Sequence, residues 1–146
     1  MTVVAEILRA KPDATVHTIA PDATVLDALR TMADKRIGAL LVVKGGRIEG
    51  ILTERDYARK IALLGRTSAD TPVSEVMTTS VMFVRPTQSS EQCMQLMTEK
   101  RLRHLPVLDG DQLVGMISIG DLVAQIMSEQ KFIIEQMVQY IGGQVR

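Results

Sequence analysis

The stretch GILTERDY at 50–57 returns as GMISIGDL at 115–122: a glycine, two apolar residues, a hydroxyl residue, two further residues and an aspartate. Every matched position is 65 residues from its partner. The pairs that define the motif are Gly50 with Gly115, Thr53 with Ser118, and Asp56 with Asp121. A fixed separation of this kind is typical of an internal duplication.

The same register extends over a much longer part of the chain. Residues 15–57 align with residues 80–122 without a gap. Further matched pairs are Pro21 with Pro86, Met32 with Met97, Leu40 with Leu105, and Gly45 with Gly110. Each half is therefore one supersecondary unit, built twice.

Within the unit, the sequence predicts the order strand, helix, strand, strand, helix. Thr24 can cap a helix that follows Pro21. The segments GALLVVKGGRIEGIL and HLPVLDGDQLVGMI each predict two strands around a tight turn, because Gly-Gly and Asp-Gly accept a positive φ. VHTI and VMFV predict a short first strand. The expected fold class is α/β, an α+β sandwich of two β-α-β-β-α repeats related by pseudo-two-fold symmetry, plus a C-terminal amphipathic helix.

The predicted organisation has five segments. They are an N-terminal helical segment at 1–11, a first repeat at 12–64, a linker at 65–75, a second repeat at 76–127 and a C-terminal helix extension at 128–146. A short helical turn is expected near Val73–Met77. The last helix is expected to stop at Gly142-Gly143. Its long apolar stripe predicts a partner helix in a homodimer, against the alternative that it folds back on its own domain.

Composition excludes several classes of protein. Net charge is zero, so a surface that binds a polyanion is not expected. Aromatic residues make up 3% of the chain, so a surface that stacks bases is not expected either, and nucleic-acid binding is disfavoured. The chain has neither a signal-peptide pattern nor a run long enough to span a bilayer, which predicts a cytoplasmic protein and no membrane association. Cys93 lies at an apolar helix position and is expected to be buried and inert.

The repeated motif has a definite chemistry. A hydroxyl at the first turn of a helix, together with free N–H groups, favours an anion. An aspartate three residues later can accept hydrogen bonds from the vicinal hydroxyls of a sugar. Phosphate and ribose together indicate a nucleotide. The plain alternative is a helix cap, since Ser/Thr followed by an acid is also a capping pattern. Repetition of the whole motif with its glycine favours the ligand site.

The span from about Pro12 to Met127 resembles a tandem pair of cystathionine-β-synthase-type (CBS) domains, a Bateman module. The marks of this resemblance are the duplicated motif, the ALLVV and HLPVL strands, and the EVMTTSV entry to the second repeat. The resemblance implies a regulatory module that binds an adenosine-containing ligand in two pseudo-symmetric clefts between the repeats. AMP is the favoured ligand; ADP, ATP, NAD and S-adenosylmethionine are the others, and no metal is expected.

The resemblance also implies which residues bind. One cleft would use Thr53, Arg55, Asp56, Thr78, Met82, Leu102, Arg103 and His104. The other would use Ser118, Asp121, Asp13, His17, Ile37, Gly38 and Ala39. The aspartates would hold ribose, the hydroxyl and basic groups phosphate, and the aliphatic strand residues adenine. Because Gly38, Ala39 and Gly120 stand where the other repeat has Arg103, His104 and Arg55, tighter phosphate binding is expected at the Asp56 cleft.

The leading hypothesis is a sensor in which nucleotide binding changes the conformation of a homodimer, and a separate, unknown effector protein reads the change. The alternative is a ligand-free dimerisation or interaction module in which the motifs only cap helices. An enzyme is not expected, because the sequence has no metal-spaced His or Cys set, no nucleophile–base pair and no glycine-rich phosphate loop.

Overall fold

The computed structural model describes residues 2–145, with side chains through residue 142. The helices are α1 (Val4–Ala10), α2 (Val25–Lys35), α3 (Glu54–Tyr57), α4 (Ser90–Lys100) and α5 (Ile119–Val145). The strands are β1 (Thr18–Ile19), β2 (Ala39–Lys44), β3 (Arg47–Thr53), β4 (His104–Asp109) and β5 (Gln112–Ser118). The chain forms two compact units, one of residues 15–82 and one of the chain before and after that segment.

The 15–82 unit is a three-stranded sheet with a helix packed on it. The strand order is β1-β2-β3, with β1 parallel and β3 antiparallel to β2. Gly45 and Gly46 make the hairpin turn with φ of 58° and 79°, as the sequence predicts. Thr24 caps α2 by accepting a hydrogen bond from the Asp27 N–H. The core is apolar: Val25, Ala28, Met32, Leu40, Val42, Leu52, Ile61, Val73 and Val76.

The end of this unit carries two irregular helical turns. After α3 the chain continues as a π-helical segment, Ala58–Ala62, and a 3₁₀ turn covers Val73–Glu75. The 3₁₀ turn lies where the sequence predicts a short helical turn. Lys60 on the π-helical segment donates a hydrogen bond to the Val76 carbonyl at 2.9 Å, which ties the two turns together.

The other unit repeats the hairpin and its helix. Strand β4 pairs antiparallel with β5, and Gly110 in the turn has a φ of 61°. The predicted first strand at 81–84 is wrong as a strand: only one parallel bridge forms, between Val84 and Val107. At this bridge the Val84 N–H donates to the Pro106 carbonyl, and the Val84 carbonyl accepts from the Leu108 N–H.

The N-terminal helix belongs to the core of this second unit. Val4 and Ile7 of α1 are buried with residues of β4, β5 and α4. The Val4 N–H donates to the Gln88 carbonyl at 2.8 Å, so the chain start is also held by backbone bonds just before α4. Cys93 is fully buried in the same core, as predicted.

Both repeats end their first helix in the same unusual way. Arg36 and Arg101 follow α2 and α4 with φ of 55° and 56°, in the left-handed region. A side chain in that region costs roughly 1 kcal/mol. The two residues are 65 positions apart, so the duplication has kept a backbone geometry that the residue type does not favour.

Helix α5 is longer than the sequence predicts. The expected stop at Gly142-Gly143 is wrong, since the helix runs to Val145, and Gly142 is not among the positive-φ glycines. A glycine in a helix costs about 1 kcal/mol but does not end it unless the backbone turns left-handed. Beyond Leu122 the exposed apolar residues include Val123, Met127, Phe132, Ile133, Ile134, Met137, Val138, Tyr140 and Ile141. Within the described residues no helix is apolar enough over a sufficient length to cross a membrane.

The motif glycines are sites of close packing. A Cβ added at Gly50 would lie 2.8 Å from the Thr78 carbonyl oxygen and 2.8 Å from the Met77 sulfur. At Gly115 the added Cβ would lie 2.6 Å from the Leu8 side chain. The sequence predicts that these glycines admit a ligand or another backbone; the space is filled by neighbouring protein in both repeats.

We therefore expect Gly50→Ala to destabilise the protein by about 1–3 kcal/mol, because the Thr78 backbone has to move. The matched control is Gly120→Ala, where the new Cβ meets only the Ser118 hydroxyl at 3.6 Å. That change should be neutral or stabilise by up to about 1 kcal/mol. Urea unfolding followed by circular dichroism measures both. Equal effects of the two substitutions would contradict this account of Gly50.

Candidate functional site

Helix α3 begins at a reciprocal pair of hydrogen bonds. The Thr53 hydroxyl accepts from the Asp56 N–H at 3.2 Å, and the Asp56 carboxylate Oδ2 accepts from the Thr53 N–H at 3.0 Å. The Thr53 hydroxyl also donates to Oδ2 at 3.1 Å. Two of the backbone N–H groups at the helix start, those of Thr53 and Asp56, are thus bonded within the motif itself.

The second oxygen of Asp56 is held from elsewhere. Oδ1 accepts a hydrogen bond from the Thr78 hydroxyl at 3.1 Å and pairs with the Lys60 ammonium at 3.2 Å. Thr78 reaches this position because it forms an antiparallel bridge with Ile51, with both N–H···O bonds at 2.9 Å. Asp56 is only 7% exposed, so its charge is buried and compensated on both oxygens.

Helix α5 begins in the same way. The Ser118 hydroxyl accepts from the Asp121 N–H at 3.1 Å, and Asp121 Oδ2 accepts from the Ser118 N–H at 2.8 Å. Lys11, just after α1, forms an ion pair with the same Oδ2 at 3.0 Å and donates to the Met116 carbonyl at 2.8 Å.

The two aspartates therefore receive their lysines from different places. Lys60 lies one turn after Asp56 on the same helical run, and Gln125 is its counterpart after Asp121. Gln125 points its amide to the Thr2 hydroxyl at 2.7 Å instead. Lys11 replaces the missing helical lysine and comes from the N-terminal segment. Its counterpart in the other repeat is Val76, which has no charge.

The strand entries lie beside these helix starts. The Gly38 carbonyl accepts from the Glu54 N–H at 3.1 Å, and Ala39 pairs with Thr53 across the hairpin. In the other repeat the Arg103 carbonyl accepts from the Ile119 N–H at 2.9 Å, and His104 pairs with Ser118. Each motif thus has the strand entry of its own repeat next to it.

The predicted site residues divide between the two units. The 15–82 unit holds His17, Ile37, Gly38, Ala39, Thr53, Arg55, Asp56, Thr78 and Met82. The other unit holds Asp13, Leu102, Arg103, His104, Ser118 and Asp121. Within the predicted set, side-chain hydrogen bonds join Asp56 to Thr53 and to Thr78. In the other repeat, Ser118 and Asp121 each accept with a side-chain oxygen from the backbone N–H of the other. The sharing of residues between clefts stays a prediction, and so does the tighter phosphate binding expected near Asp56.

Sequence reasoning missed both lysines. Lys60 has a local signal, because a cation four residues after an acid on a helix lies next to it. Lys11 has none: it precedes the repeat, and only the fold brings it to Asp121.

Catalytic chemistry finds little support in the side chains. No group of three or more His, Cys, Asp or Glu residues able to hold a metal ion occurs within residues 2–142. Burial raises the pKa of the Cys93 thiol, which disfavours the thiolate that a nucleophile requires. What the site offers is a pair of helix starts, each with an aspartate, in a repeated scaffold.

A helix, a hairpin and a second helix, repeated in one chain with an aspartate in the first turn of each second helix, are typical of a tandem regulatory module. A family model, the CBS domain, matches residues 4–63 and 73–128. The chain belongs to the CBS domain family and is a CBS domain pair. The resemblance stated from the motifs is confirmed, as is the mixed α/β fold.

Known relatives agree with this assignment. The chain is 42% identical over 127 residues to the mitochondrial CBS domain-containing protein CBSX3 of Arabidopsis thaliana, covering 84% of this chain and 62% of that protein. It is 39% identical to the CBS domain-containing protein YhcV of Bacillus subtilis, covering 79% and 81%. A solved structure with CBS domains from Burkholderia ambifaria, described as a possible signal-transduction protein, is 56% identical with a TM-score of 0.86, covering 88% and 96%.

The Thr78 contact can be tested by mutation. Thr78→Val removes one donor from the buried Asp56 carboxylate while keeping the side-chain shape, so we expect a loss of about 1–3 kcal/mol in the free energy of unfolding. Thr79→Val is the matched control, because Thr79 is exposed. It should change stability by less than about 0.5 kcal/mol. Chemical denaturation measures both; a neutral Thr78→Val would show that Asp56 does not depend on this bond.

Proposed function

We propose that this CBS pair is a sensor of adenosine-containing nucleotides that signals through the shape of a homodimer. The observation that carries the proposal is the duplicated helix start, in which a hydroxyl residue and an aspartate lie together at the N-terminus of α3 and of α5. A helix N-terminus favours the phosphate of a nucleotide, and a carboxylate favours its ribose hydroxyls. AMP is the favoured ligand, with ADP, ATP, NAD and S-adenosylmethionine as the others.

A solved relative supports the class of ligand. The CBS domain pair of protein MJ0100 was crystallised in complex with 5′-methylthioadenosine and S-adenosyl-L-methionine, and both of these ligands contain adenosine. It shares the fold of this chain with a TM-score of 0.73 at 23% identity. The fold is thus able to form adenosine sites, and the motif residues of this chain have the matching chemistry.

Titration with nucleotides tests the proposal. We expect at least one of AMP, ADP, ATP, NAD and S-adenosylmethionine to bind in isothermal titration, because all present adenosine with a charged group. At a concentration of about 100 times its Kd, that ligand should stabilise the fold by about 2.7 kcal/mol in a thermal-shift experiment. CMP and ribose 5-phosphate are the controls for the base. No heat and no shift with all five ligands would overturn the sensor function.

The ligand-free module is the second candidate, and one observation favours it. Asp56 is fully engaged as a capping residue and ion-pair partner, as a purely structural aspartate would be. The same titration separates the two candidates. A cytoplasmic location and a separate effector protein complete the proposal.

The homodimer is argued from α5. Ile133, Ile134, Met137, Val138 and Ile141 are each 55–64% exposed, and they lie on one helix within nine residues. Exposed apolar surface of this density is unfavourable in water and is typical of an interface. Burying one such side chain contributes about 1.5–3 kcal/mol. A second copy of α5 presents the same surface, so helix-to-helix contact between copies would cover both.

Ile134→Glu should therefore weaken the dimer by roughly tenfold or more, because it places a charge in the apolar contact. Gln136→Glu adds the same charge to the same exposed helix and should leave assembly unchanged. Light scattering after gel filtration measures the mass against that of the 16.1 kDa chain. A wild-type protein that is monomeric at all concentrations would remove the dimer from the proposal.

A further inference from the structure

Gln130 lies at the centre of the apolar face of α5. Successive residues of an α-helix are about 100° apart around the axis. At that spacing the exposed large apolar side chains between Val123 and Ile141 lie within about 80° of Gln130 on either side, with Phe132 as the exception. Gln130 is itself exposed. An amide is thus placed where a contact through this face would bury it.

The same face carries a heptad pattern. Steps of four and three residues alternate along it, through Val123, Met127, Gln130, Ile134, Met137 and Ile141. The mean spacing of about 3.5 residues is that of two helices wound around each other. A single polar residue in such a seam fixes the register and the number of helices, because a shifted partner would leave it buried against apolar groups.

A different face of α5 is in contact with the N-terminal segment of the same chain. Lys11 pairs with Asp121 at 3.0 Å. The Gln125 amide donates to the Thr2 hydroxyl at 2.7 Å, and that hydroxyl donates to Glu129. The three α5 residues are four apart, so they form one polar stripe along the helix. Because the N-terminal segment holds this stripe, the apolar face is turned away from it.

Charges at the two rims of the apolar face favour a parallel pair of helices. Glu129 and Lys131 lie about 100° to either side of Gln130, and both are exposed. Two parallel helices related by a two-fold axis place opposite rims together, so Glu129 would face Lys131 of the partner subunit. An antiparallel pair centred on Gln130 would set each of these two charged residues against its own copy. Like charges in contact are unfavourable.

We propose that α5 binds α5 of a second copy as a parallel two-stranded coiled coil, with Gln130 facing Gln130 of the partner subunit. The proposal rests on the homodimer of the proposed function and adds its orientation, its register and the residue that determines them. A carboxamide both donates and accepts, so the two amides can bond each other across the two-fold axis. Glu129 and Lys131 flank that bond at the rims.

Cysteine cross-linking tests the orientation. Ile134→Cys and Ile141→Cys, made separately and oxidised, should each give a disulfide-linked dimer on a non-reducing gel, because a parallel pair brings copies of one residue together. Cys93 is fully buried and does not compete. Gln139→Cys, on the opposite face, is the control and should not cross-link. In an antiparallel pair only a residue at the axis meets its own copy, so cross-linking at one position alone would overturn the proposal.

Charge reversal tests the register. Glu129→Lys or Lys131→Glu alone sets like charges against each other and should weaken the dimer about 3- to 30-fold at low salt. The two changes together restore opposite charges and should return the dissociation constant to within about threefold of wild type. Thr2→Val measures separately what loss of the bond to Glu129 contributes. Sedimentation equilibrium gives each constant; losses that simply add would overturn the pairing.

Replacement of the central amide tests its role. Gln130→Leu should tighten the association about tenfold or more and allow larger assemblies, because the polar residue that limits the seam to two helices is gone. Gln139→Leu makes the same change on the opposite face and should leave the mass and the affinity unchanged. A Gln130→Leu protein that associates as wild type does, or more weakly, would place Gln130 outside the contact and overturn the proposal.

Failure of this inference differs from failure of the proposed function. A wild type that stays monomeric would remove the proposed homodimer and the coiled coil together. A wild type that dimerises, while its Ile134→Cys and Ile141→Cys variants form no disulfide, would overturn the coiled coil alone and leave the homodimer standing.

Discussion

The bond network at the hairpin-to-helix junction is the constraint on which both repeats depend. A strand that ends at Thr53 or Ser118 turns directly into a helix, and the first turn of that helix leaves N–H groups without partners. The hydroxyl and the aspartate bond each other's backbone N–H groups, and a carbonyl at the strand entry of the same repeat accepts from the first N–H of the helix. The direction of the helix relative to the hairpin is thereby fixed locally, and the rest of the core packs around that angle.

The junction also explains the repeated glycine. Three residues before each hydroxyl, the strand has to pass so near another segment that a Cβ would collide with it. The segment differs between repeats: Met77 and Thr78 pack on Gly50, and the side chain of Leu8 packs on Gly115. The first contact brings Thr78 to Asp56, while helix α1, which carries Leu8, leads into Lys11 and so to Asp121. In both cases the close approach delivers the group that compensates the aspartate.

Much of this could be predicted from the sequence because the deciding interactions are local. The Gly45-Gly46 turn, the Thr24 cap and the duplicated motif all act within a few residues, and the register repeats them. The single bridge at Val84 could not be foreseen, because an apolar run shows that a segment is buried but not how many ladder bonds its neighbour offers. The contact of Lys11 with Asp121 depends on packing between residues distant in sequence. The continuation of α5 past Gly142 shows the same limit, since a glycine permits a stop without requiring one.

The two repeats share the hairpin and the helix start, but substitution has made them unequal in charge. Arg36 and Arg101 show how conservative the backbone has been, for both retain a left-handed geometry that is unfavourable for arginine. The side chains around the aspartates had no such constraint, because a buried carboxylate requires compensation but not from a particular direction. Lys60 pairs with Oδ1 of Asp56 from the same helical run, whereas Lys11 pairs with Oδ2 of Asp121 from the N-terminal segment. Each repeat thus sets a lysine against its motif aspartate, and packing rather than the repeated motif decides which part of the chain supplies that lysine.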